Sequence, residues 1–126
     1  MEEKLLYESE SYEIRGAIYE VYREMGIGLL EAVYQECLEE EFLRKNIPFD
    51  SQKSLPLIYK EKKLQQAYRP DLICYDKIIL EIKAVDSLTG IHTAQLHNYL
   101  RLTGYRLGFL INFNHFPGAE IKRIIV

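Results

Sequence analysis

The chain has 126 residues, the usual size of one domain built around one hydrophobic core. Its composition, 48% hydrophobic and 28% charged, is typical of a soluble globular protein and argues against disorder. The formal net charge of −3 counts mildly against nucleic-acid binding, which usually needs a basic protein, but a local basic surface can coexist with an acidic whole.

Neither a membrane span nor a signal peptide is predicted, because no apolar run is long enough and no charged, apolar and small-residue series of the right kind occurs. The two cysteines, Cys37 and Cys74, are far apart and have no metal-ligand spacing. Both are predicted to be buried free thiols in a reducing compartment. We therefore expect a cytoplasmic protein without membrane contact.

Two helices are predicted in the first third of the chain. The first runs from about Ser11, a plausible N-cap, to Met25, and Gly26 stops it. The second runs from about Leu29 to Lys45 and ends ahead of a proline. Its inward side chains are expected to be Leu30, Val33, Tyr34, Cys37, Leu38 and Phe42.

The middle of the chain has the pattern of strands. Residues 49–59 form the first predicted strand, in which alternate residues are apolar and Pro56 indicates an edge position or a bulge. A lysine-rich turn at residues 60–63 follows. Residues 64–67, 68–75 and 78–85 then predict an antiparallel meander.

A third helix is predicted over about residues 91–103 and is closed by Gly104. Strands over residues 106–113 and 121–126 follow, so the predicted order is two helices, a run of strands, a third helix and two further strands. This order, without linker or repeat, predicts a single α/β domain over residues 1–126 in which helices cover a mixed sheet.

One strand carries unexpected charges. Residues 78–85 are apolar enough for a central strand that is covered on both faces, yet Glu81 and Lys83 share one of those faces. A buried charge is costly unless it is paired or binds a metal. An isolated Glu-x-Lys occurs often by chance, and by itself it favours a solvated strand face or a structural ion pair.

Asp71 shifts that balance, because it opens the preceding strand and nine residues separate it from Glu81, a spacing that suits a tight hairpin. A three-residue loop at residues 75–77 places Asp71 opposite Glu81. A two-residue loop pairs Asp71 with Ile82 instead and turns it away, unless a bulge restores the geometry. Both registers are open on sequence alone.

Two carboxylates that converge beside a lysine make a suitable site for a hard divalent cation. Mg²⁺ takes oxygen ligands, keeps several waters and binds phosphate oxygens directly. Between Asp71 and Glu81 it could lower the pKa of a bound water and neutralise charge at a phosphorus. Lys83 would orient or activate the attacking water, or stabilise the charge that develops.

Three motifs in chain order carry a family resemblance. Pro70-Asp71, followed after nine residues by Glu81-Ile82-Lys83, resembles the active-site signature of the PD-(D/E)XK nuclease superfamily. Residues 28–34 match the GxxExxY motif that names one bacterial family of that superfamily. Residues 95–99 resemble the Q-x-x-x-Y motif of nuclease domains in recombination helicases and related exonucleases. The resemblance covers about residues 13–125.

The resemblance implies a restriction-endonuclease-like αβββαβ core with an additional N-terminal helix. It also implies that Asp71 and Glu81 are metal ligands, with Mg²⁺ or Mn²⁺ as the cofactor, and that Lys83 is the catalytic lysine. Glu31 would be a third carboxylate directed at the metal from the first core helix. Gln95 would support the site or contact the nucleic-acid strand.

Tyr99, like Gln95, is implied to support the site or to contact the nucleic-acid strand. The residues outside the central strands can also be explained by structural roles alone. Glu31 lies in the first turn of its helix, where an acid complements the helix dipole. Gln95 and Tyr99 share a helix face with Ile91 and Leu102, and an amide in such a stripe can be satisfied by backbone.

Histidines and lysines elsewhere favour ordinary roles. His92, at the start of the third helix, is expected to be a surface or capping residue. Lys60, Lys62 and Lys63 form the densest basic cluster, for which a solvated turn is favoured over a phosphate track.

The leading expectation is a Mg²⁺-dependent nuclease that hydrolyses phosphodiester bonds, with DNA favoured over RNA as its partner. The alternative is a catalytically idle nuclease-fold module that acts in nucleic-acid binding or protein interaction. A third class is an unrelated α/β protein with a structural Glu–Lys pair. Because nothing resembles a dedicated DNA-recognition domain, a protein partner or a homo-oligomer is a further expectation.

Overall fold

The structure, a computed structural model, describes residues 5–126. Within that range the helices are α1 (Glu8–Met25), α2 (Glu31–Arg44) and α3 (Gly90–Thr103). The strands are β1 (Phe49–Ser51), β2 (Leu55–Tyr59), β3 (Lys62–Tyr68), β4 (Leu72–Cys74), β5 (Ile78–Lys83), β6 (Leu107–Asn112) and β7 (Glu120–Ile125). None of these helices combines the length and the apolar character needed to cross a bilayer.

A five-stranded sheet in the order β1-β4-β5-β6-β7 forms the centre of the molecule, and β2 and β3 form a separate hairpin. In the large sheet β5 and β6 are parallel, while the other neighbours are antiparallel. This is the mixed sheet that the sequence predicts. The α3 helix connects the two parallel strands, as a parallel pair requires.

Helices cover both faces of the sheet. On one face, α1 and α2 pack through Ile14, Ile18, Leu38 and Phe42 in a core that includes alternate residues of β5. On the other face, Leu96 and Leu100 of α3 and Leu55 of the hairpin pack over Ile73, Ile79, Leu110 and Ile124. Because Glu81 and Lys83 alternate with the first set of β5 residues, they lie on the α3 side.

The single strand predicted for residues 49–59 is wrong. The chain divides it into β1, an edge strand of the large sheet, and β2, which pairs only with β3. The break lies at Gln52, whose φ of +56° takes the backbone out of the extended conformation. Neither glycine nor proline, the strongest turn signals, marks this point.

The predicted meander is also wrong in its strand bounds. Lys62 and Lys63 belong to β3 rather than to a turn, and the turn is only Lys60 and Glu61, both with positive φ. Tyr68 ends β3 instead of opening the next strand. The hairpin of β2 and β3 therefore stands apart from β4 and β5.

The helix starts differ from the predicted ones, whereas the predicted stops are confirmed at two glycines. Ser11 is a buried residue inside α1 rather than its N-cap. Leu30 precedes α2 and is 75% exposed, so its predicted inward position is wrong. Gly26 ends α1 by donating its N–H to Tyr22, and Gly104 ends α3 in the left-handed conformation at φ +84°.

Candidate metal and catalytic site

The hairpin of β4 and β5 has a three-residue loop, and this loop length sets the strand register that places Asp71 opposite Glu81. Leu72 pairs with Leu80 and Cys74 with Ile78, which leaves residues 75–77 as the loop. The loop is tight because Tyr75 and Asp76 both have positive φ, and the Lys77 N–H donates to the Cys74 carbonyl over 3.1 Å.

The two carboxylates are held by each other's strand. The Ile82 N–H donates to Asp71 Oδ2 over 2.7 Å. In return, the Asp71 N–H donates to Glu81 Oε1 over 3.0 Å. Both side chains are half-buried, so these charge-assisted bonds fix them more firmly than rotamer preference alone would. The structure therefore brings Asp71 and Glu81 together where β4 begins.

The electrostatics of this pair favour a cation. Burial raises the pKa of Glu81 to about 7, and the neighbouring charge of Asp71 adds to that shift. Burial also raises the pKa of Asp71, with a smaller contribution from the charge of Glu31. Lys83 opposes both shifts, and it is half-buried on the same strand face as Glu81. One lysine thus leaves the negative charge of two half-buried carboxylates incompletely compensated.

The donor set fits a divalent metal ion. Asp71 Oδ1 and Glu81 Oε2 accept no hydrogen bond from the part of the chain that the structure describes, so each carboxylate keeps an oxygen for a ligand bond. Mg²⁺ is commonly bound by one or two carboxylates together with waters and substrate phosphate. Among residues 5–126, however, no group of three or more His, Cys, Asp and Glu residues is close enough to hold an ion.

Glu31 is directed toward this site without joining the pair. Its Oε2 accepts a hydrogen bond from the Ala84 N–H over 3.3 Å, at the residue that follows Lys83. The charge of Glu31 also contributes to the raised pKa of Asp71. Its side chain is therefore not placed only to complement the dipole of α2, although it stays exposed.

The loop that positions Glu31 is held by Tyr34, which is fully buried. Its hydroxyl donates to the Gly26 carbonyl over 2.7 Å and accepts from the Leu29 N–H over 3.2 Å. Gly28 lies between them with a φ of +94°, which other residues rarely adopt. The three constant positions of the GxxExxY pattern thus have physical roles here. Gly28 allows the loop conformation, Glu31 directs a carboxylate toward the end of β5, and Tyr34 holds the loop through its hydroxyl.

Tyr99 reaches the site indirectly, through Tyr68, which sequence reasoning missed. The two rings stack with centroids 3.9 Å apart and 5° between their planes. Tyr68 is only 5% exposed, and its buried hydroxyl lies beside Glu81 without a hydrogen-bond partner of good geometry in the described residues. Burial, and then the charge of Glu81, raises the pKa of this phenol.

Gln95 does not lie in a buried apolar stripe, so that part of the prediction is wrong. It is exposed and makes no hydrogen bond within residues 5–126. Its neighbours on that face, Ile91 and Leu102, are 78% and 42% exposed, because α3 buries Leu96 and Leu100 instead. His92 has the predicted capping role, since its Nδ1 accepts from the Thr89 N–H over 3.1 Å.

Two further polar residues hold the backbone around the site. Gln35, one turn after Glu31, donates from Nε2 to the Asp71 carbonyl over 3.1 Å. Asn112 is fully buried opposite Lys83 in the β5–β6 ladder. Its Oδ1 accepts from the Val85 N–H over 3.0 Å, and its Nδ2 donates to the Val85 carbonyl over 2.9 Å. An asparagine within the apolar run of β6 was the available sequence signal.

We expect Asn112→Ala to lower the free energy of unfolding by about 2–4 kcal/mol, because it empties a fully buried position and leaves the part-buried N–H and carbonyl of Val85 without partners. Denaturant unfolding measures this loss. The exposed Asn98 is the matched control, and Asn98→Ala should stay within about 0.5 kcal/mol of wild type. Equal stability of the two variants would contradict the role of Asn112 as a clamp on the chain after Lys83.

Comparison with known proteins agrees with this geometry. The family model described as the PD-(D/E)XK nuclease superfamily matches residues 8–124. No curated protein matches the chain. Among solved structures, the crystal structure of SSO0001 is similar with a TM-score of 0.54 and 24% identity, over 94% of this chain and 60% of that one. At that identity the likeness shows the fold alone.

The present chain thus spans less than two thirds of the length of SSO0001. The family match extends over nearly all of the described residues and includes the β4–β5 hairpin with its two carboxylates and lysine. The mixed sheet with flanking helices is the restriction-endonuclease-like fold that the sequence motifs imply. The chain belongs to the PD-(D/E)XK nuclease superfamily.

Proposed function

We propose that this protein is a metal-dependent nuclease that hydrolyses phosphodiester bonds of nucleic acid, with Mg²⁺ or Mn²⁺ as its cofactor. The observation that carries the proposal is the pair of Asp71 and Glu81, fixed side by side with Lys83 on the same strand face. DNA is the favoured substrate because residues 95–99 resemble a motif of recombination nucleases. Membership of the GxxExxY family stays a prediction.

Asp71 and Glu81 would hold the cation through the oxygens that the backbone leaves free. A bound divalent cation lowers the pKa of a coordinated water and neutralises charge on the phosphate. The two backbone hydrogen bonds keep the carboxylates in place, so little reorganisation accompanies binding. Glu31 would add a negative charge nearby, which strengthens cation binding at longer range.

Lys83 would act on the water or on the phosphate. It follows Glu81 by two residues, roughly 7 Å along the same face of β5. In the reaction the oxygen of a water attacks phosphorus while the water gives up a proton to solvent, the bond from phosphorus to the leaving sugar oxygen breaks, and that oxygen takes up a proton from solvent. An ammonium at this position can orient the water and stabilise the negative charge that develops on the phosphate oxygens.

Tyr99 and Gln95 have supporting roles in this proposal. Tyr99 stacks on Tyr68 and so forms part of the wall beside Glu81. Gln95, which is exposed one turn earlier on α3, is available to contact a nucleic-acid strand. Neither residue is proposed as a metal ligand.

The test is a cleavage assay on labelled single- and double-stranded DNA and RNA with Mg²⁺, Mn²⁺ or EDTA. We expect cleavage that needs the metal and is lost in Lys83→Ala. Nucleic-acid binding without cleavage under any metal condition would favour the idle nuclease-fold module instead. The absence of metal binding by calorimetry would leave Glu81 and Lys83 as a structural ion pair.

We expect Glu31→Gln to weaken Mn²⁺ binding about fivefold without destabilising the metal-free protein. A unit charge near the cation contributes about 1 kcal/mol to binding. The glutamine can still accept the hydrogen bond from Ala84, and the charge that raises the pKa of Asp71 is gone. Calorimetric Mn²⁺ titration and thermal melts of the metal-free and metal-bound forms measure both effects.

The exposed Glu36 of α2 supplies the control, since Glu36→Gln removes the same charge from the same helix. Its Mn²⁺ affinity should match wild type. A lower melting temperature of metal-free Glu31→Gln together with unchanged Mn²⁺ affinity would reduce Glu31 to a helix-terminus residue.

A further inference from the structure

Positive charge in this acidic chain is concentrated in one segment beside the site. Residues 52–70 contain five lysine or arginine side chains against one glutamate, a net charge of +4, in a chain of net charge −3. The remaining residues therefore carry −7. All of these side chains are exposed, and the segment contains the β2–β3 hairpin. They are Lys53, Lys60, Glu61, Lys62, Lys63 and Arg69.

The hairpin has one face that is continuous with the site. Leu55 pairs with Tyr68 at its base, and Tyr59 pairs with Lys62 at its tip. Paired residues share a face, and Leu55 and Tyr59 are four residues apart on β2, so both pairs lie on one face of the hairpin, although β3 bulges between Lys63 and Ala67, where the register shifts by two residues. We call this face the inner face. At its base it packs beneath α3, with Tyr68 beside Glu81, and at its tip it is open to solvent.

The inner face presents the two kinds of group that bind an unpaired nucleic-acid strand. Tyr59 is 61% exposed, although a large aromatic side chain normally prefers burial. Lys62 lies directly across the ladder from it. Exposed aromatic rings stack on bases, and lysines pair with phosphates, in sites that bind single strands without sequence preference. From Leu55 to Tyr59 along β2 the face is roughly 13 Å long, enough for a short stretch of nucleotides.

We infer that the inner face of the β2–β3 hairpin is a binding track for one strand of single-stranded nucleic acid that leads to the Asp71–Glu81 site. Lys62 contacts a phosphate and Tyr59 stacks on a base. This inference rests on the proposed nuclease function, whose substrate form it specifies. A duplex is disfavoured because its bases are paired and stacked on one another and leave no open base face for the Tyr59 ring.

Adjacent residues on opposite faces of the hairpin provide the test. Lys63 pairs with Ile58, so both lie on the outer face, next to Lys62 and Tyr59 in sequence. All four side chains are exposed, so alanine at each should leave the melting temperature close to that of wild type. Binding of a fluorescent single-stranded DNA oligonucleotide is measured by anisotropy in EDTA, which separates the result from metal binding and cleavage.

Lys62→Ala should weaken this binding about fivefold at low salt. It should also reduce the slope of log affinity against log salt by about 0.7, the value for one phosphate contact on a single strand. Tyr59→Ala should weaken binding about fivefold or more through lost stacking. Lys63→Ala and Ile58→Ala should remain within about twofold of wild type, since outer-face contacts are not used.

Equal losses from Lys62→Ala and Lys63→Ala, or tighter binding of a duplex than of the single strand, would overturn the inference. So would the absence of any oligonucleotide binding. The two proposals fail in different ways. If the protein binds the oligonucleotide through the inner face but never cleaves it, the binding track is supported and the nuclease function is contradicted. If the protein cleaves nucleic acid but all four hairpin variants bind the oligonucleotide like wild type, the nuclease function is supported and the binding track is contradicted.

Discussion

Lys83→Ala should lower the cleavage rate by at least about 10²-fold while the protein stays folded. Within residues 5–126, the ammonium of Lys83 is the positive charge that lowers the pKa of both Asp71 and Glu81. In the proposed reaction it is also the group that acts on water or phosphate. Contacts of the substrate with the rest of the protein do not depend on Lys83. The substitution should therefore lower the rate of cleavage and leave the affinity for the substrate unchanged.

Metal affinity should survive the substitution if it is measured at a suitable pH. Without Lys83 the pKa of Glu81, already about 7, rises further because an opposing positive charge is gone. Near neutral pH the variant therefore binds Mn²⁺ more weakly, since Glu81 must lose a proton first. At about pH 8.5 the difference from wild type should shrink to a few-fold.

Lys122 is the matched control for this experiment. It is half-buried on β7, and the ladder from Glu81 through Leu110 to Lys122 places it on the same sheet face, two strands away. Lys122→Ala removes an equivalent charge and side chain without touching the carboxylate pair. Full activity of a pure, folded Lys83→Ala protein would remove Lys83 from the reaction.

The central part of the site could be predicted from sequence because it is local. Asp71, Glu81 and Lys83 lie within thirteen residues, and a hairpin places its two strands side by side whatever the rest of the chain does. Strand alternation then decides which residues share a face. Only the register remained open, and it depended on whether the loop had two residues or three.

The surroundings of the site could not be predicted in the same way. Tyr68, Gln35 and Asn112 come from three separate elements, and their contacts depend on how those elements pack. The periodicity of apolar residues also failed to predict the break within the first strand, where neither glycine nor proline marks a turn. Gln52 interrupts the first predicted strand with a positive φ that glutamine seldom adopts, and this break separates the β2–β3 hairpin from the large sheet.

Glu81→Gln should abolish metal binding and cleavage, yet stabilise the metal-free protein above neutral pH. In the folded protein the pKa of Glu81 is raised from its ordinary value of 4.5 to about 7, chiefly by burial and by Asp71. The folded state therefore keeps a proton that the unfolded chain releases. Stability from this group is complete below about pH 4.5 and is lost as the pH rises to about 7.

The full loss is on the order of 3 kcal/mol, because each unit of pKa shift is worth about 1.4 kcal/mol. Glutamine is never charged and can still accept the hydrogen bond from the Asp71 N–H. At about pH 8 we expect Glu81→Gln to exceed wild type by roughly 1–3 kcal/mol in the free energy of unfolding. At about pH 4.5, where wild-type Glu81 is largely protonated, the two proteins should be nearly equal.

Denaturant unfolding at both pH values, with and without Mn²⁺, measures these effects. Mn²⁺ should stabilise wild type through linkage to the folded state and leave Glu81→Gln unchanged. Glu36→Gln, which removes an exposed charge, should show neither effect. The opposite pattern, with Glu81→Gln less stable than wild type at about pH 8 and no response of either protein to Mn²⁺, would mean that Lys83 already compensates Glu81. Glu81 and Lys83 would then be a structural ion pair on a buried strand, and the site would have no need of a metal.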